Sequence, residues 1–207
     1  MLVDPESLLD FWFGEDLDDP RAVAECASVW FGSNDDFDDR IRERFAELPD
    51  AAGRGDLDAW RIHPRSTLAL VLALDQLPRN LFRDTPQAFA YDAAALETAR
   101  WAISRGMDAQ LHPLEAVFIY LPLEHDENPT SQMECVSLCR AVAARAPSAL
   151  VQPFESFVSF AERHRSVIER FGRFPHRNRI LGRASTPEEI AYMNEGGETF
   201  SGSGDSR

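Results

Sequence analysis

The stretch Pro64-Arg-Ser-Thr-Leu-Ala-Leu-Val-Leu-Ala-Leu-Asp-Gln-Leu77 is almost wholly apolar in its second half. A helix with apolar side chains all round must be buried on most sides, so the segment predicts the central helix of an all-α fold. Pro78 is expected to stop it, because proline has no N–H and clashes with the turn before it. That break would free the Asp75 and Gln76 carbonyls and turn Arg79 and Asn80 away from the core. Outward from this segment the boundary signals are helix caps. Asp4-Pro5 and Asp19-Pro20 each set proline at a first helical position, the second opening a segment through Trp30-Phe31. Asn34 is expected to cap a third helix with Phe37, Ile41 and Phe45 on one face, ended by Gly53-Arg-Gly55. Further helices are expected from an Asp92 cap to Arg105, from His112-Pro113, from Asn128-Pro129 to Arg145, and from Gln152 to Phe171. Thr186-Pro-Glu-Glu189 fits the capping box of a last short one. No segment alternates with period 2. The reading is a single all-helical domain over residues 1–193, with about nine helices and no β-sheet, then a Gly/Ser-rich flexible tail over 194–207.

The charge distribution removes whole classes of function. The net charge is −14, and residues 1–60 carry seventeen acidic residues against five arginines. Such a surface repels phosphate backbones, so no nucleic-acid partner is expected. The longest apolar run, Leu68 to Leu74, is far too short to span a membrane, and the N-terminus shows no secretory pattern. Cys26, Cys135 and Cys139 form no C-x-x-C pair, which suits reduced thiols in the cytoplasm. The chain has no lysine, so Schiff-base and phosphate-loop lysine chemistry are excluded. No nucleophile elbow, dinucleotide fingerprint or phosphate loop is present, and no cofactor is implied. Asp35-Asp36-Phe37-Asp38-Asp39 lacks the glycine and terminal glutamate of a calcium loop.

Against that acidic background, Phe171-Gly-Arg-Phe-Pro-His-Arg-Asn-Arg-Ile-Leu-Gly-Arg183 holds four arginines, a histidine and an asparagine. Gly172 and Pro175 make it a loop, and its charge keeps it out of a core. Arg173, His176, Arg177 and Asn178 are therefore candidates to bind an anion, with Arg79 and Asn80 beside them. The competing reading is that the loop arginines clamp the acidic N-terminal half at Asp35, Asp36, Asp38 and Asp39. Elsewhere, helical spacing puts ionisable groups on apolar stripes: His164 between Phe160 and Ile168, Asp75 after Leu72, Glu124 and His125 after Leu121, and Gln132 before Cys135. Buried groups of this kind need partners, so they are expected to meet one another and the basic loop. His125 or His164 would then be the proton-transfer group of any enzyme built there. The expected ligand is a small anion or an acidic peptide end. A helical interaction module with a purely structural polar cluster is the alternative, and a centre of His125, His164, His176 and Glu124 is the metal reading. The latter has no paired-ligand spacing, and no metal is assigned.

Three separated motifs, Leu74-Asp-Gln-Leu-Pro-Arg-Asn-Leu-Phe-Arg83, Leu121-Pro-Leu-Glu-His125 and the Phe171–Arg183 loop, occur in an order that resembles the bacterial family called domain of unknown function 924. The resemblance covers nearly the whole chain. It implies an all-helical, tetratricopeptide-like fold and supplies no activity.

Overall fold

The computed structural model describes residues 3–14, 16–30, 32 and 34–200. Among them are α1 (Pro5–Phe13), α2 (Pro20–Trp30), α3 (Asp35–Phe45), α4 (Leu48–Gly53), α5 (Pro64–Leu81), α6 (Asp92–Ser104), α7 (Pro113–His125), α8 (Pro129–Ala143), α9 (Val151–Phe171) and α10 (Pro187–Asn194). Five short 3-10 turns join them, and no strand occurs among the described residues. The caps follow the sequence. Asp4 and Asn34 accept the N–H groups of Ser7 and Phe37 at 3.0 Å, and Asn128 accepts that of Thr130 at 2.8 Å. His112 and Glu115 close a box at the start of α7, as Thr186 and Glu189 do for α10. Each satisfies donors that a bare helix end would leave open.

Helix α5 is the axis of the molecule. Leu68 through Leu74 and Leu77 are fully buried, and α1, α3, α4, α6 and α7 all pack against it. From α5 to α9 each helix also packs on the next in sequence. A cluster of Trp12, Phe13, Trp30 and Phe118 closes one side, with the Trp30 indole N–H donating to the Trp12 carbonyl at 2.7 Å.

Several boundaries differ from expectation, each for a local reason. Pro78 does not stop α5, which runs one further turn to Leu81. The lost hydrogen bond is outweighed because the Arg79 guanidinium bonds back to the Asp75 carbonyl at 2.7 Å and the Asn80 amide reaches Asp38 at 2.8 Å. The third helix splits, because Pro49 in the first turn of α4 cannot continue the ladder of α3. Asp92 does not cap α6; it is its first residue, and its carboxylate is spent on Arg79. Phe160 is 41% exposed, so the buried stripe of α9 is Phe154, Phe157, Ala161, His164 and Ile168. Past Asn194, residues 195–200 pack back on α9, where Glu198 pairs with Arg163 and Phe200 joins a small cluster with Ile168 and Phe174. Of the stretch expected to be a tail, residues 201–207 lie outside the described residues.

The C-terminal ends of α5 and α7 meet through Asp75 and His125, α9 packs on α7, and Gly172 ends α9 in the left-handed region at φ 68°. That turn sends the basic loop back over both helix ends.

Candidate functional site

Asp75 is fully buried between the ends of α5 and α7. Its carboxylate meets His125 Nδ1 at 2.8 Å and Arg79 at 3.3 Å, and accepts from the Gln76 amide at 2.5 Å. Burial alone would push the Asp75 carboxyl up, but Arg79 and His125 together hold it well below the usual range. Burial and the nearby Arg79 push His125 down, so its ring is neutral near pH 7. An ionised Asp75 can only accept, so Nδ1 of His125 carries the proton and Nε2 carries the lone pair. His125 lines the cavity described below, and no described side chain bonds its Nε2.

His164 on α9 sits beside this pair, its ring 6.5 Å from that of His125. Its Nδ1 donates to the Phe160 carbonyl at 2.9 Å, and a Glu124 oxygen lies 3.3 Å from the same atom. This is not an ion pair. Burial drives His164 well below its ordinary value and, with Asp75 nearby, raises Glu124 to about 8. Both are neutral at pH 7. Phe200 stacks face-on upon His164 with centroids 3.5 Å apart. Behind Glu124 lies the Cys135 thiol, 3.9 Å from the carboxyl and from Cys139, held above its normal value by Cys139 and by burial. No thiolate nucleophile forms there.

The basic loop divides in two. On its inner side Arg177 donates to the His125 carbonyl at 3.0 Å, stands 3.7 Å from Asp92, and lies over the Phe89 and Phe174 rings. Burial and the neighbouring Arg79 lower it to about 10. His176 is lowered to about 3 by burial and by Arg177. Arg177 Nε and His176 Nδ1 are buried without a hydrogen-bond partner among the described residues. On the outer side Arg173 forks onto Glu189, Arg183 onto Glu127, and the Asn178 amide reaches Glu189 and Ser185.

These groups border a cavity of about 1230 Å³ between α2, α5, α7 and α9. Arg79, Asn80, Glu124, His125, His164, His176 and Arg177 line it; Gln132, Arg173 and Asn178 do not. Gln132 instead uses its amide on the carbonyls of Leu123, Glu124 and Asp126, tying off the end of α7. Asn80 lines the wall while committed to Asp38, which Arg83 also holds. Asp38 thus meets Arg83 rather than the loop, and Arg173, Arg177 and Arg183 are matched by Glu189, Asp92 and Glu127 instead of the N-terminal acids. Sequence reasoning missed Asp92, Phe89, Arg163 and Phe200. Only Asp92 left a trace in the letters, and it reads equally well as a helix cap. Among the described residues no group of three or more His, Cys, Asp or Glu is placed to hold a metal ion.

A solved structure of a protein of unknown function from Agrobacterium tumefaciens superposes with a TM-score of 0.78 at 37% identity, covering 92% of this chain and 97% of that one. No curated protein matches the chain. Residues 8–197 match the profile described as a bacterial protein of unknown function, and the chain belongs to that family, DUF924.

Proposed function

We propose that the cavity binds a small carboxylate and that His125 is the proton acceptor beside it. The observation that carries this is the Asp75–His125 pair. A buried carboxylate fixes the imidazole tautomer, so that an unpartnered Nε2 is presented at a cavity wall next to Arg79 and Arg177. Perturbed ionisable groups gathered in one cleft favour function over scaffolding. Three free cysteines support a reducing, cytoplasmic setting. The packing of successive helices from α5 to α9 supports the tetratricopeptide-like arrangement that the resemblance implies.

The test is thermal melting of wild type and Arg177→Met with and without millimolar acetate, citrate, phosphate and sulfate at constant ionic strength. Carboxylates should stabilise the wild type alone, by about 2.7 kcal/mol at a hundredfold excess over Kd. A wild type indifferent to all four anions would refute the reading.

A further inference from the structure

We infer that the ligand is amphiphilic: a carboxylate monoanion with an extended apolar chain, its head at Arg177 and His125 and its body along the trough between α2, α7 and α9. This rests on the carboxylate reading above and adds the substrate class.

The charge at the polar end limits the head group. Two arginines, Arg79 and Arg177, stand against two carboxylates, Asp75 and Asp92. His125, His164 and His176 are neutral near pH 7, and Glu124 keeps its proton. The cluster is therefore balanced before any ligand arrives. Desolvating a phosphate dianion there would leave two charges unmatched, against one for a carboxylate. Arg177 can supply the carboxylate with donors. Its contact with Asp92 is long, and its Nε has no partner among the described residues although the side chain is only 8% exposed.

One wall of the cavity is apolar, while Arg83, Asp84, Arg163, Arg179 and Glu198 also line it. Val23, Ala27 and Trp30 of α2 face Val117 and Leu121 of α7 and Phe157 of α9 across it. At about 1230 Å³ the space exceeds the roughly 300–1,000 Å³ of ordinary ligand pockets, far more than a free phosphate or acetate fills. An apolar wall that runs up to the open donors of Arg177 is complementary to a fatty-acid-like molecule. It is not complementary to a compact polar one.

The experiment is calorimetric titration with butyrate, hexanoate, octanoate, octanol and octyl phosphate, below their aggregation limits and at fixed ionic strength. Each buried methylene should tighten binding by about fourfold, so octanoate, with four more, should bind roughly 250-fold more tightly than butyrate. Ala27→Phe, which narrows the trough at a half-buried position, should flatten the length dependence. Equal affinity for butyrate and octanoate would overturn the amphiphile and leave the carboxylate reading standing. Octyl phosphate binding as well as octanoate would overturn the charge argument for a monoanion. Octanol matching octanoate, or Arg177→Met binding octanoate undiminished, would remove the carboxylate reading itself. Silence from every compound would remove both.

Discussion

The two sides of the loop from Phe171 to Arg183 both carry arginine, and those arginines meet opposite fates. Arg183, on the outer side, bonds both oxygens of Glu127, the Phe174 carbonyl and the Asn178 side chain. Arg177, six residues earlier, makes one hydrogen bond to a backbone carbonyl and one long contact to a carboxylate it shares with Arg79. Both are arginines of one short loop, and neither position is marked by its neighbours in sequence. What separates them is the carboxylate each meets. Glu127 and Glu189 arrive from outside the cavity and saturate their arginines. Asp92 arrives already committed to Arg79, so Arg177 is left under-satisfied at the cavity wall. A saturated arginine holds a fold together; an under-satisfied buried one is costly alone and useful to a ligand.

The largest contrast should come from the carboxylates themselves. Asp75→Ala leaves His125 and the Gln76 amide without their buried acceptor and Arg79 with Asp92 alone, and should cost about 3–5 kcal/mol, read from urea unfolding at pH 7. Because its pKa is depressed, the Asp75 contribution is present above about pH 3.8 and is lost as pH falls below it. Glu127→Ala, on the half-buried outer side, should cost less, about 1.5–3 kcal/mol. Equal losses would mean that the inner cluster is no more desolvated than the outer clamp.

A smaller contrast lies between the arginines. Arg183→Ala should lower stability by about 1.5–3 kcal/mol in plain buffer, the cost of lost charge-assisted bonds. Arg177→Met should be neutral to within about 1 kcal/mol, since an apolar side chain of similar length replaces a poorly paired buried cation. An Arg177→Met protein as unstable as Arg183→Ala would make both sides of the loop clamps.

The sequence disclosed the fold more fully than the site, for physical reasons. Caps are local: Asp4-Pro5, Asn34 and Thr186-Pro-Glu-Glu189 act within a few residues, so their letters suffice. The burial of α5 is legible because its apolar run leaves no polar face. Where packing competes with propensity the letters mislead. Pro78 reads as a stop, yet side chains from three elements hold the last turn of α5, and Phe160 reads as core although α9 turns it outward. At the site, apolar stripes correctly flag His125, His164 and Glu124 as groups needing partners. Which partner each finds depends on contacts between residues 50 apart, as Asp75 and His125 are. Nothing local encodes that the same loop spends Arg173 on Glu189 and holds Arg177 at the cavity.

The smallest expected effect is also the one that separates the two regions by sign. Glu124 sits behind His125 with its pKa raised to about 8, chiefly by burial and then by Asp75; its neighbours His164 and Cys135 bring no charge. Unfolding exposes it to water, where a glutamate ionises near pH 4.5. Between these values the folded state holds one more proton than the unfolded state, so stability falls as pH rises, by at most ~1.4 kcal/mol per unit. The buried histidines work in the opposite direction, fade as pH rises past about 6.5, and act equally in wild type and Glu124→Gln. The window from pH 7 to 8 therefore isolates Glu124. Wild type should lose about 1 kcal/mol across that window relative to Glu124→Gln. Glu127 and Glu189 on the outer side have depressed pKa values, Glu189 to about 2, so their contribution is complete above pH 4.5 and fades only as pH falls. Urea midpoints at pH 7.0, 7.5 and 8.0 for the two proteins decide it (about 1 kcal/mol is well within reach of such fits). Parallel curves would show that Glu124 is already ionised at pH 7, which would put a net negative charge beside His125 and remove the charge balance on which a monoanionic ligand depends.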